Sequence, residues 1–229
     1  MATRMTLPER VSPLHAALEH LHPTWGTLHG MPVALGFAPP ESEATTARGL
    51  GLADASALPR ITLKGPGAAG LLKKLKVGVP DAVFGVRPLG ALGLAARTGG
   101  AEFFIEDGPG DAAVAKLQDA LAAGVPGVYP VWRADACLLL SGSLATEVLE
   151  QTCAYNFRQP DPGTLVFTRV AGVSCSLLPR TLNGIPLFQI WMDGTFGEYL
   201  WETLVEIAGE NAGAPVGLSC FFPTLLQPV

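Results

Sequence analysis

Charge is scarce in this chain. Only 15% of its 229 residues are Asp, Glu, Lys or Arg, against about 25% in an average soluble protein. Acidic residues outnumber basic ones by 20 to 15, so the net charge is −5. Nucleic-acid binding needs clustered Lys and Arg to neutralise phosphates. The one basic cluster, Lys64, Lys73, Lys74 and Lys76, reads as the solvated face of a helix. Nucleic acid is therefore excluded as a partner.

Long apolar runs are missing too. The best, Leu165 to Leu178, is broken by Thr168, Arg169 and two serines, and falls short of the roughly 18 residues that span a bilayer. Arg4 is followed by Pro8, Glu9 and Arg10, where a secretory signal would place its apolar segment. A cytoplasmic protein without membrane contact is expected. The four cysteines, Cys137, Cys153, Cys175 and Cys220, contain no C-x-x-C pair, which removes the usual zinc spacing. No disulfide is expected, and Cys137 and Cys175 read as buried small hydrophobes. His15, His20, His22 and His29 crowd the N-terminal region without an i, i+4 pair, so no metal site is expected from them. No G-x-S-x-G precedes a helix, and Gly65-Pro-Gly67 lacks the Walker spacing of a phosphate loop.

What is present is hydrophobic: 48% of the residues, with a mean hydropathy of +0.34. Either the core is unusually complete, or part of the surface is covered by another protein. The pattern is organised around a unit that occurs twice. Arg60 to Lys64 reads as a strand, Gly65-Pro-Gly67 as a turn with Pro66 at a first helical position, and Ala69, Leu72 and Leu75 as one helix face. Tyr129 to Leu140 reads again as a strand, followed by Gly142 and a helix from Ser143 to Gln151. Aligning Gly65 with Gly142 offsets the units by 77 positions (142 − 65), placing Leu63 on Leu140 and Leu72 on Leu149.

Around these units, Ser12 caps a short helix, Thr27 to Phe37 is a strand or hairpin, and Ala38 to Gly51 is a polar surface loop. Phe84 to Arg97 and Glu102 to Glu106 form two strands, and Asp111 caps a helix through Ala123 with Val114, Leu117 and Leu121 inward. Leu165 to Val170, Val173 to Leu178 and Pro186 to Met192 are strands; Thr195 and Glu198 form a capping box, and Val216 to Phe222 is a last strand. The division is a segment over 1–26, frayed to residue 11, and halves over 27–125 and 126–229. Each half approximates β-α-β-β-α. The expected fold is α+β, two ferredoxin-like halves related by a pseudo-two-fold.

Asp54-Ala-Ser56 followed by Leu63-Lys-Gly65-Pro-Gly-Ala68 resembles the folate-binding domain of the glycine cleavage T protein, an aminomethyltransferase. With Ser12-Pro13-Leu14, Arg97-Thr-Gly99-Gly-Ala-Glu102 and Glu198-Tyr-Leu-Trp201, the chain is more similar still to the sarcosine oxidase gamma subunit of that superfamily. The resemblance implies a central hole that in enzymes of the family holds tetrahydrofolate, with an acid in the first-half hairpin and a Glu that grips the pterin. Here the hairpin from Pro88 to Arg97 has no carboxylate, and Ile185 stands in the place of that Glu. An unpaired buried polar group costs about 1–3 kcal/mol, so folate chemistry is expected to be lost.

No catalytic residue is assigned. Asp54, Arg97, Glu102 and Arg180 remain as candidates for cofactor contact; Asp54 with Ser56 also suits a local turn, and Arg97 with Glu102 a cross-strand or interface pair. The resemblance implies a non-catalytic subunit bracing larger flavoprotein partners in a hetero-oligomeric amine oxidase or dehydrogenase, with FAD, FMN and NAD in those partners. A stand-alone tetrahydrofolate-binding protein using Glu102 or Asp107, and an unrelated α+β interaction domain, are the alternatives.

Overall fold

A computed structural model describes residues 10–226, so the expectation of a frayed start lies, for residues 1–9, outside the described residues. Helix α1 (His15–Glu19) and a hairpin of β1 (Thr24–Leu28) and β2 (Met31–Gly36) lead into α2 (Pro40–Gly49) and β3 (Gly51–Asp54). Next come β4 (Arg60–Lys64), α3 (Ala68–Lys74), β5 (Val86–Leu89), β6 (Gly93–Gly99), β7 (Glu102–Glu106) and α4 (Ala113–Leu121). After β8 (Tyr129–Trp132) the series is repeated by β9 (Ala136–Ser141), α5 (Ala145–Thr152), β10 (Val166–Val170), β11 (Val173–Leu182), β12 (Ile185–Met192) and α6 (Gly197–Glu210). A two-residue strand, β13 (Ala214–Pro215), follows.

Besides the two-stranded β1-β2 sheet, the strands form two larger sheets, ordered β5-β6-β7-β4-β8 and β10-β11-β12-β9-β3-β13. Setting aside the edge strands β5, β10 and β13, both have the ferredoxin-like order about a central first strand. The strand that precedes each half completes the other half's sheet: β3 pairs with β9, and β8 with β4.

The repeat is written in the backbone. Gly65 and Gly142 adopt φ of +106° and +101°. A Cβ on Gly65 would lie 2.4 Å from the Gly127 carbonyl oxygen, and one on Gly142 would lie 2.3 Å from that of Gly49. Two residues on, Gly67 N–H donates to the same Gly127 oxygen at 2.9 Å, and Leu144 N–H to the Gly49 oxygen at 3.0 Å. Each strand-to-helix turn is thus docked on the segment leading into the other half. Only glycine allows both the left-handed φ and the close approach.

Strand alternation sorts the side chains. On the first sheet, Ile61, Leu63, Phe103 and Ile105 pack outward on Leu72 and Leu117 of the helices. On the second, Leu138, Leu140 and Ile190 pack outward on Leu149, Leu200 and Leu204. The opposite faces, with Leu94, Ala96 and Phe104 on one sheet and Cys137, Leu139 and Trp191 on the other, meet in a shared core. The layers are helices, sheet, sheet, helices.

Several local expectations are corrected. Ala38 to Gly51 holds α2 instead of a loop: Pro40 opens it, and Glu41 and Glu43 sit in the first turn, where carboxylates suit the helix dipole. Glu43 is buried because the amides of Phe37, Ala38 and Gly217 need its oxygens. The run from Phe84 to Arg97 turns back at Gly90 into β5 and β6, and Tyr129 to Leu140 splits into β8 and β9 on different sheets. Helix α3 buries Ala68, Leu71 and Leu72, with Ala69 exposed. Asp107, not Asp111, holds the start of α4, accepting from Ala113 and Val114 N–H at 3.0 and 2.9 Å. Asp193 accepts from Thr195 N–H at 2.9 Å in place of the expected capping box. The tail forms short 3-10 turns at Leu218–Cys220 and Pro223–Leu226 instead of a strand.

Candidate functional site

The polar residues of the chain that are brought together lie in the seam between the sheets. Arg60 opens β4 and Glu106 ends β7, and the two are directly opposite in the antiparallel register. Both side chains face the seam, with 1% and 0% exposure, and Arg60 Nε lies 2.8 Å from Glu106 Oε2. The N–H is not aimed at that oxygen, so the contact is Coulombic and not a hydrogen bond. The guanidinium donates instead to the Asp135 and Ala55 carbonyls at 2.6 and 3.1 Å. Glu106 accepts from Gln189 Nε2 through one oxygen and from Trp191 Nε1 at 2.7 Å through the other. Residues of β4 and β7 are thereby tied to β12 and to the segment leading into β9.

Beside this cluster, Asp54 accepts from Ser56 N–H at 2.9 Å, and Ser56 Oγ accepts from Cys137 N–H at 3.0 Å. This is the turn expected from the sequence, extended to bridge to the other half. Burial pushes the Glu106 carboxyl above the usual carboxylate range, against the pull of Arg60 and the Trp191 N–H. Burial likewise raises Asp54, opposed by Ser12 and Ser56. For Arg60, burial works against the charge, but Glu106 holds the guanidinium protonated.

Little space is left. The cavity in the seam, lined by Thr62, Thr98, Phe104, Leu165, Ser176 and Trp191 among others, has a volume of about 60 Å³. Small-molecule pockets run from about 300 to 1,000 Å³. Larger concavities include one of about 400 Å³ that adjoins the seam cavity, sharing Arg133, Phe167, Ser176 and Trp191, and one of about 340 Å³ beside Ser143, Arg180 and Phe188, with no carboxylate in its wall.

Of the other candidates only Glu102 reaches the seam, lining the small cavity together with Asp135. Arg97 donates to the carbonyls of Asp81, Gly99 and Gly100 and lies 5.8 Å over the Phe103 ring. Glu102 pairs with Lys64 at 3.1 Å at the exposed end of the same two strands. The expected Arg97–Glu102 pair is therefore not formed. Arg180 reaches from β11 to the Leu92 and Ala91 carbonyls at 3.0 and 3.3 Å, bracing the β5–β6 turn. Ile185 is buried in the shared core. Asp107 is occupied with α4. Cys137, Cys153 and Cys175 are buried, and burial and Glu43 push the half-buried Cys220 thiol up to about 12. Among the described residues no group of three or more His, Cys, Asp or Glu could hold a metal ion, and no helix is long and apolar enough to cross a membrane.

Sequence reading missed Arg60, Glu106, Gln189 and Trp191. The available signal was parity: Arg60 and Glu106 fall out of step with Ile61, Leu63, Phe103 and Ile105, which places two charges on a face shared with Phe104.

No family model matches the sequence, and no curated protein matches it. Among solved structures, the glycine cleavage system aminomethyltransferase T from Bartonella henselae superposes with a TM-score of 0.75 at 18% identity, over 93% of this chain. The chain has the aminomethyltransferase fold. It spans 60% of that protein's length. A chain of the heterotetrameric sarcosine oxidase from Corynebacterium sp. U-96, in complex with pyrrole 2-carboxylate, shares the aminomethyltransferase fold at a TM-score of 0.61 and 21% identity. That match covers 77% of this chain and 94% of the oxidase chain.

Proposed function

We propose that this chain is a non-catalytic subunit, of the sarcosine oxidase gamma type, within a heteromeric flavin-dependent amine oxidase or dehydrogenase. The observation that carries the reading is the filled seam. Phe104 and Trp191 meet edge to face at 5.6 Å, both oxygens of Glu106 are engaged by the chain's own donors, and the cavity that Phe104 and Trp191 line has a volume of about 60 Å³. A pterin edge brings N–H donors that need a buried acceptor, and at the position where the resemblance implies one stands the aliphatic Ile185. In this reading the flavins, NAD and any folate belong to larger partner subunits in the cytoplasm.

Size and surface support it. The stretch that makes up 94% of the sarcosine oxidase chain makes up only 77% of this one, so that subunit is also small. Tyr129, Trp132, Phe167 and Tyr199 are more than half exposed, and such aromatic residues are enriched where proteins meet. The alternative, a stand-alone tetrahydrofolate-binding aminomethyltransferase-like protein, draws on the likeness to the aminomethyltransferase over 93% of the chain.

Co-expression with the flavin-bearing subunit of a heteromeric amine oxidase tests the proposal. A single species on gel filtration, with a fixed flavin content per copy of this chain and activity lost when it is omitted, is expected. A chain that elutes alone, beside a flavoprotein fully active without it, overturns the proposal.

A further inference from the structure

We propose that the seam cavity is a built hydration site, holding ordered water bonded to the Thr62 and Thr98 hydroxyls, and not a site for an organic ligand. Thr62 lies on the seam face of β4 and is 1% exposed, and its Oγ1 has no partner among the described residues. The Thr98 Oγ1, from the end of β6, is also buried without a partner. Both residues line the same cavity. Leaving a hydroxyl unpaired inside a protein costs about 1–3 kcal/mol, so two such groups facing one space call for a partner there that can both donate and accept.

The space has the matching size. A cavity admits a water once about 10–15 Å³ is open to a water-sized sphere, and this one measures about 60 Å³. Ser176 adds a third hydroxyl to the wall and Glu102 and Asp135 add carboxylates, while Phe104, Leu165 and Trp191 offer only ring and aliphatic carbon on their cavity faces, the Trp191 N–H being committed to Glu106. Phe167 and Arg133, both exposed, flank the cavity, so water reaches it without opening the sheets. Because the seam keeps this water, its closure does not depend on apolar packing alone. The inference rests on the hydroxyls and the volume, and stands apart from the subunit reading.

High-resolution crystal structures of the wild type, Thr62→Val and Thr62→Ser test it, with water–amide NOEs at residues 62 and 98 as the solution readout. Water within hydrogen-bond distance of both hydroxyls is expected in the wild type. It should remain in Thr62→Ser, and the water at Thr62 should be lost in Thr62→Val. A dry cavity with both hydroxyls turned onto backbone carbonyls overturns the proposal, as does an organic molecule in that space. The wild-type structure decides the question even if a variant fails to fold.

Discussion

Replacing Glu106 by alanine is expected to destabilise the protein by about 3–5 kcal/mol, the range for removing one partner of a buried ion pair. Arg60 would be left charged at 1% exposure, and the Gln189 and Trp191 donors would lose their acceptor. At roughly 2–4 °C per kcal/mol for a chain of this size, Tm should fall by about 6–20 °C. Glu102→Ala, on the same strand and also ion-paired across to β4, should change stability by less than about 1 kcal/mol because its pair is exposed. Arg60→Met combined with Glu106→Leu should recover only the part of the loss caused by the unpaired charge, since the Gln189 and Trp191 donors stay without an acceptor. Equal shifts for the two single variants in calorimetric melts would contradict this assignment. The pH response carries a sign. Burial raises Glu106 in the folded state, so the folded protein binds this proton at a higher pH than the unfolded chain does. Stability from this group is present at low pH and declines as pH rises through the raised value; Glu106→Ala should flatten that decline.

Gly142→Ala and Gly65→Ala should each destabilise by about 2–5 kcal/mol, combining the left-handed penalty with the strain of overpacking. At both positions the new methyl would meet a carbonyl oxygen, at 2.3 and 2.4 Å, that cannot rotate away. Gly172→Ala is the control: its φ is +84°, but nothing lies within 4 Å of the added carbon, so only the backbone term of about 1–2 kcal/mol applies. Urea melts of the three variants measure the difference. Similar large losses at Gly65 and Gly142 are expected because the two turns are equivalent, and a Gly142 loss no larger than that of Gly172 would refute the equivalence.

Those two glycines are also where the sequence was most informative. A strand, a glycine and a helix recurring at a fixed offset identify a duplicated turn, because the backbone there tolerates no other residue. The α+β class and the paired halves follow from it. The exchange of β3 and β8 between sheets does not, since nothing local tells a strand which partner it will pair with. Helix α2 was hidden because its interior is supplied by Ala47 and a buried Glu43, a pattern that reads as polar surface. Arg60 and Glu106 became a pair only through strand register, and sit near ends of strands where charges are ordinarily solvated. Asp54 and Ser56 were legible as a turn, but their bond to Cys137 spans 81 positions, beyond the reach of any local motif. Arg97 and Glu102 flank one hairpin, yet Glu102 turned to the nearer Lys64 across the strand pair.

Titration with tetrahydrofolate, followed by tryptophan fluorescence, bears on the filled seam without intermediaries, because the buried Trp191 lines the space a pterin would have to enter. No saturable change up to roughly millimolar folate, a binding free energy weaker than about −4 kcal/mol, is the expected result. Saturation in the micromolar range, abolished by Glu106→Gln, would mean that the seam opens to admit a pterin and that this chain has kept folate chemistry of its own.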